Sequence, residues 1–243
     1  MIKLKGNNDL KNKLIIDDIE IQFTKKNIKN IHLSVHPPNG IVRISVPKRM
    51  KDEAIRLFAV SKLSWIKKQQ SKFENQERLP ESEYVSGESH YYFGTRYLLN
   101  VIYQESNRSK VEIINKKYIN LYVKEGSSKD KKEKVMKEWY RKELKALIPP
   151  LIEKWEKKIG VKVESWSIKQ MKTRWGTCNT TARRIWINLE LAKKTPHCLE
   201  YIIVHELVHL IERNHGDKFV FLMNKHFPNW RAVKSELNGL VFG

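Results

Sequence analysis

Cysteine is nearly missing from this chain: Cys178 and Cys198 are the only two, and they form no CxxC pair. That excludes a disulfide framework and a four-thiolate zinc site, and it fits a reducing, cytoplasmic setting. No stretch approaches about 18 uninterrupted apolar residues, so no membrane span is expected. The opening Met1-Ile2-Lys3-Leu4-Lys5-Gly6-Asn7-Asn8 lacks an apolar run followed by a small-residue cleavage site, so export is not expected either. Acidic residues are short as well, 27 against 47 Lys plus Arg, which leaves a formal charge of +20. Such an excess attracts phosphate-rich or acidic partners without saying which. The cations lie in short groups, among them Lys48-Arg49-Met50-Lys51 and Lys129-Asp130-Lys131-Lys132. A solubilising surface and a nucleic-acid or nucleotide role therefore both stay open.

What is present is enough for a packed fold. A hydrophobic content of 40% over 243 residues can fill one large domain or two small ones. Ile19, Ile21 and Phe23 alternate with polar neighbours, as do Ile31, Leu33 and Val35, and after the turn signal Pro37-Pro38-Asn39-Gly40 so do Val42, Ile44 and Val46. This predicts a β hairpin or meander over residues 14–46. From Lys51 to about Phe73 the apolar spacing becomes helical and predicts one amphipathic helix. Short strands are expected around Tyr91–Tyr103, Lys110–Ile114 and Ile119–Val123, and Gly126-Ser127-Ser128 marks a boundary. Residues 129–159 read as a long helix interrupted or kinked at Pro149-Pro150, with strands returning over 161–169 and 184–189. No internal repeat is evident. The expected architecture is α+β: a β-rich part over 1–125 with one amphipathic helix, then a helical part over 129–243 with a short sheet.

The chemistry gathers near the C-terminal end. Thr195-Pro196 is a helix start, Thr as N-cap and Pro at the first helical position, and Leu199, Ile203, Leu207 and Leu210 make a buried stripe. On that helix stands His205-Glu206-Leu207-Val208-His209. Spacing of i and i+4 puts both imidazoles on one face, able to meet one metal, and Glu206 beside them can act as base toward a water the metal activates. A catalytic zinc needs a third protein ligand. His215 is the best candidate, at a point where Asn214-His215-Gly216 looks like the helix end with Gly as a left-handed cap, and Glu212 is its rival. His32, His36, His90, His197 and His226 read as ordinary surface or core residues.

The segment from His205 to Gly216, followed by Phe219, resembles the YgjP-like metallopeptidase family, related to the SprT-like and WLM metallopeptidases. Upstream, Arg174-Trp175-Gly176-Thr177-Cys178 and Ile185-Trp186-Ile187-Asn188-Leu189 resemble that family's RWGSC and I-x-L-N segments, with Thr177 in the place of Ser. Val46-Pro47, Trp65-Ile66 and Phe93-Gly94-Thr95-Arg96-Tyr97 extend the likeness over most of the chain. The resemblance implies a zincin-type catalytic part with His205, His209 and His215 holding zinc and Glu206 as general base. It also implies a peptide or protein substrate.

Trp175–Cys178 or Ile185–Leu189 is expected to border the cleft as a strand to which an extended peptide can add. Arg174, Trp175 and Gly176 are the candidate substrate-binding residues. Arg174 can steady an oxyanion or a phosphate or form a structural ion pair, and Trp175 can equally be core. Two other functions share these features: a metal-dependent nucleotide pyrophosphatase or phosphohydrolase, and a basic nucleic-acid-binding module with a structural zinc.

Overall fold

The computed structural model describes residues 12–36, 39–74, 78–79, 82–239 and 241–242. The chain divides into two compact units, Met1–Glu77 and Arg78–Gly243. Pro37 and Pro38 of the expected turn lie outside the described residues.

In the first unit the alternating runs form β1 (Asn12–Ile16), β2 (Ile19–Lys26), β3 (His32–His36) and β4 (Ile41–Pro47). Ile21, Phe23, Val42, Ile44 and Val46 are buried on one sheet face, as period-two patterning requires. β3 and β4 make the expected antiparallel hairpin, whereas β2 runs parallel to β4 on its other side, giving the order β1-β2-β4-β3. The single amphipathic helix expected over 51–73 is instead two, α1 (Asp52–Ser61) and α2 (Leu63–Glu74). At Lys62 the backbone N–H turns back to the Ala59 carbonyl at 3.1 Å, an i−3 closure that ends the first helix. Ile55 and Ala59 of α1 and Ile66 of α2 are all fully buried, so each helix keeps its own apolar face.

The second unit begins with β5 (Arg78–Leu79), then β6 (Ser89–Tyr92), β7 (Thr95–Gln104), β8 (Lys110–Ile114), β9 (Tyr118–Lys124) and α3 (Lys129–Ile159). Its sheet order is β6-β7-β9-β8, with an antiparallel, a parallel and an antiparallel pairing. The sheet of the first unit has the same three pairings in the same order. Loop lengths match too: residues 27–31 and 105–109 link the second and third strands, and residues 48–51 and 125–128 lead into the helix. A repeat is thus present in topology, although the residue pattern did not disclose it.

α3 starts at Ser128, whose hydroxyl accepts from the Lys131 N–H, and stops at Gly160 in the left-handed conformation (φ 78°). Contrary to the expected interruption, it runs through Pro149 and Pro150. Both prolines are exposed, as are Lys145 and Ala146, whose carbonyls lose their helical partners, so water can satisfy them while Leu144, Ile148 and Ile152 hold the buried side.

β10 (Ser165–Lys169) pairs parallel with β12 (Arg184–Asn188), and β11 (Gly176–Asn179) pairs antiparallel with β12 at the opposite edge. A 3₁₀ turn over Leu189–Lys193 leads to α4 (Pro196–Val208), followed by α5 (Asp217–His226), α6 (Trp230–Gly239) and β13 (Val241–Phe242), which pairs with β5. One hydrophobic core joins Leu99 and Leu121 of the sheet, Met136 and Leu144 of α3, Ile185 of β12 and Ile203 of α4. The segment Gly126–Ser128, where a boundary was expected, joins β9 to α3 inside this unit. Among the described residues no helix is long and apolar enough to cross a membrane.

α4 is buried almost all round, from Cys198 through Val208. Its start is held from outside the helix. Pro196 is the first helical residue as expected, but the Thr195 hydroxyl does not cap the helix and donates instead to Glu236 Oε1 at 2.7 Å. The β6–β7 turn docks here, with Phe93 N–H on the Ala192 carbonyl (2.9 Å) and Gly94 N–H on the Lys193 carbonyl (3.2 Å). A Cβ on Gly94 would stand 2.5 Å from the Thr195 methyl.

One turn further on, Glu200 accepts from Lys154 Nζ (2.5 Å) and Trp155 Nε1 (2.8 Å), tying α4 to α3. Burial works to raise the Glu200 pKa, but these hydrogen bonds together with the Lys154 and His197 charges outweigh it and hold the carboxyl below the 4.5 usual for glutamate. A carboxyl that is more acidic folded than unfolded stabilises the fold fully above its unfolded pKa, and that contribution is lost as pH falls through the lowered value. Glu200→Gln is expected to lower stability at neutral pH and to lose less of it on acidification than the wild type. Urea unfolding followed from neutrality into acid would show this, and parallel profiles for the two proteins would refute it.

Candidate metal centre

α4 ends one residue before His209. That residue closes the helix in right-handed geometry, and Ile211 and Glu212 N–H groups both return to the Val208 carbonyl in a tight turn. The helix end expected at Gly216 therefore comes earlier. Gly216 (φ −80°, ψ −168°) is extended and precedes α5 rather than capping α4 in the left-handed form. The early turn is what brings the 212–216 segment back over the helix.

His215 thereby meets the helix histidines. Its Nε2 lies 3.0 Å from His205 Nε2, and the donor nitrogens of His205, His209 and His215 all fall within 4.8 Å of one another. Among the described residues this is the one cluster of three or more potential ligands so disposed. His32, His36, His90, His197 and His226 are not part of it.

Chemically the donors suit a cation. Burial, then the neighbouring His209, His215 and Lys234 charges, push the His205 pKa down to about 3, and burial pushes His209 down as well. Both rings are then neutral near pH 7 with lone pairs available, as metal binding requires. Two such Nε2 atoms at 3.0 Å repel unless a proton or a cation lies between them. His209 Nδ1 faces the Glu212 carbonyl at 3.1 Å, which fixes the tautomer with Nε2 free for coordination. The Glu212 carboxylate, the rival ligand, instead accepts from the Asn214 N–H at 3.1 Å and lies 3.8 Å from Lys218 Nζ. Phe219 of α5 lies under all three imidazoles, its ring centroid 4.6 to 4.9 Å from theirs. That position was legible only as a phenylalanine following the histidine segment.

Glu206 is 4% exposed, beside His205 on α4. Burial raises its pKa to about 8, and the Arg174 guanidinium opposes the rise. Gly176, the first residue of β11, lies against it: a Cβ there would be 2.5 Å from Glu206 Oε1 and 2.8 Å from Ile202 Cγ2. The thiol of Cys178, two residues on, is pushed up to about 11 by burial and then by the Glu206 charge, so it stays protonated.

Arg174, Trp175 and Gly176 all line the cleft that holds the triad. Trp175 is half-buried, packs against the core and donates from Nε1 to Asn238 Oδ1 at 3.3 Å. The loop carrying Arg174 is pinned by Asn188, a buried residue to which the sequence reading assigned no role. Asn188 Nδ2 donates to the Met171 and Arg174 carbonyls at 2.8 and 2.7 Å, its Oδ1 accepts from Met171 N–H, and its own N–H bonds to the Trp175 carbonyl. Arg213 and Lys234, also missed, join the cleft from the α4–α5 loop and from α6.

A convergent histidine triad beside a buried carboxylate, in an α+β unit, is an arrangement suited to metal-assisted hydrolysis. The family described as YgjP-like, metallopeptidase domain, matches residues 29–239, and the chain belongs to that family. Two solved structures are similar in part: the metallopeptidase zymogens abylysin of Pyrococcus abyssi (19% identity, TM-score 0.34) and jannalysin of Methanocaldococcus jannaschii (20%, 0.33). Each covers 36% of this chain, and 89% and 90% of their own chains are covered. Similarity this low carries no conclusion about activity. No curated protein sequence matches the chain.

Gly176→Ala is expected to force Glu206, Ile202 or β11 aside and to destabilise the protein by about 1–3 kcal/mol, the usual cost of overpacking a filled interior. Chemical denaturation would measure it. Stability equal to that of the wild type would mean the close approach of β11 to α4 is not a constraint.

Proposed function

We propose that this protein is a zinc-dependent peptidase in which His205, His209 and His215 hold the metal and Glu206 is the general base. The observation that carries the reading is the convergence of three imidazole donors beside a buried carboxylate, in a chain of a metallopeptidase family. When bound, zinc supplies a Lewis acid that polarises the scissile carbonyl and makes water nucleophilic near neutral pH.

The chain's own residues do the rest. Glu206, whose proton affinity is raised by burial, takes a proton from the attacking water and delivers it to the leaving amine nitrogen as the C–N bond breaks. Gly176 and Ile202 confine the carboxyl to one side. The Glu212 carbonyl and the Phe219 ring keep the imidazoles in place. β11 is an edge strand, hydrogen-bonded to β12 on one side, so its other edge can receive an extended peptide through main-chain hydrogen bonds. The two free thiols fit a reducing compartment, where we place the protein.

Zinc measured after dialysis tests the ligand set. His205→Ala, His209→Ala and His215→Ala are each expected to lose near-stoichiometric binding while Glu212→Ala keeps it. Retention in His215→Ala with loss in Glu212→Ala would overturn the assignment.

Glu206→Gln preserves shape and should retain zinc, yet lose on the order of a hundredfold or more in the rate of peptide cleavage. A near wild-type rate in the zinc-loaded variant would remove Glu206 from the mechanism. The same pair of proteins, incubated with the four nucleoside triphosphates, tests the phosphohydrolase alternative. Glu206-dependent release of phosphate or pyrophosphate with no peptide cleaved would replace the peptidase reading.

A further inference from the structure

The cleft around the histidine triad carries charge of essentially one sign. It has a volume of about 880 Å³, and among the described residues its lining includes three cations, Arg174, Arg213 and Lys234, against one carboxylate, that of Glu206. The three cations come from separate elements: the loop before β11, the loop between α4 and α5, and α6. All three are exposed and none is in a salt bridge among the described residues, although the Arg174 charge acts on the Glu206 carboxyl. Glu206 is the single opposing carboxylate, and it is buried behind Gly176. A divalent cation on the triad would add to the positive field.

Some cations elsewhere on this chain are matched by carboxylates. Lys13 pairs with Glu20, Lys110 with Glu112, Lys129 with Glu83 and Lys137 with Glu133. What sets Arg174, Arg213 and Lys234 apart is that three separate elements bring them to the cleft of the triad. Low-dielectric cleft walls, here including Trp175 and Tyr201, focus such a field.

Resting on the peptidase reading above, we propose that this cleft selects acidic peptides, segments with Asp or Glu side chains within a few residues of the bond that is cut, and that Arg174, Arg213 and Lys234 are the specificity-determining residues. A peptide fits better than a single-stranded nucleic acid. A cleft of this volume takes a few residues rather than the several nucleotides of a phosphate track. The unpaired edge of β11 also offers main-chain groups that a peptide can match.

The test uses the zinc-loaded full chain and three sets of quenched fluorescent peptides with one common central sequence and acidic, neutral or basic flanks. Acidic flanks are expected to give kcat/KM at least about tenfold above basic ones, with the gap closing as salt rises. Arg174→Glu, Arg213→Glu and Lys234→Glu should shrink or invert that order, while Lys134→Glu and Lys142→Glu, exposed on α3 and outside the cleft, should leave it in place. The corresponding Gln variants serve if a reversal impairs folding.

Binding of the same peptides to Glu206→Gln, read by fluorescence anisotropy, separates selection from chemistry. Cleavage that ignores flanking charge, or a preference that falls equally with the α3 reversals, overturns the charge selection and leaves the peptidase reading standing. Selective binding of acidic peptides with no peptide cleaved by the wild type defeats the peptidase reading instead. An oligonucleotide that displaces the acidic peptide from Glu206→Gln at lower concentration than the peptide's own unlabelled form would overturn the proposal in favour of nucleic acid.

Discussion

Everything at this site depends on α4 being a helix buried on nearly every side. A helix so enclosed cannot shift without opening the core, which makes it a rigid platform. The same burial would penalise any unpartnered polar group placed on it. His205, Glu206 and His209 line the cleft, yet Glu206 is 4% exposed and His205 Nδ1 is buried without a hydrogen-bond partner among the described residues, so the segment bears that cost. Burial then sets the chemistry: it keeps two imidazoles neutral and raises the proton affinity of the carboxyl between them. The features that make the segment expensive to fold are those that make it reactive.

Holding α4 in register takes contacts from several directions. The Phe93-Gly94 turn docks by backbone hydrogen bonds on the 3₁₀ turn before it, Glu200 ties its first turns to α3, and β11 approaches so closely at Gly176 that no side chain fits between. Asn188 spends its side-chain amide on the loop that bears Arg174, so β12 and the cleft wall are one mechanical piece. Phe219 gives the three rings a common apolar floor, and it reaches them because α4 stops at Val208 and the chain doubles back.

Much of this was legible in the amino-acid pattern and some was not, for definable reasons. The α+β class, the helix bearing His205 and His209, and the strands over 110–114 and 184–188 follow from periodicity, which is local information. The division of one expected helix at Lys62 depends on the Lys62 N–H turning back to the Ala59 carbonyl, a backbone closure that apolar spacing does not show. Pro149 and Pro150 read as a break because local propensity is against them, yet solvent on their side and core on the other let α3 continue. Thr195 has the right identity for a cap, but Glu236, forty-one positions away, takes its hydroxyl, and a contact of that range has no local signature. Gly176 was conspicuous within a motif, while the reason for a glycine, the Glu206 carboxylate beneath it, needed three dimensions.

The repeated strand order shows how one arrangement serves different ends. Each sheet opens with a two-residue hairpin turn whose residues have positive φ, Asp17-Asp18 (51° and 64°) in the first unit and Phe93-Gly94 (44° and 81°) in the second. Left-handed geometry at both positions suits the twist of the flanking strands, so the turn type is dictated by the hairpin. What projects from it is not. In the first unit the Asp17 carboxylate pairs with Lys67 of α2, and the turn clamps the unit's own helix. In the second, a glycine replaces the second aspartate, its bare Cα admits the Thr195 methyl, and its backbone N–H donates to the Lys193 carbonyl. The same backbone corner that closes a helix onto its own sheet in one unit anchors the start of the histidine-bearing helix in the other.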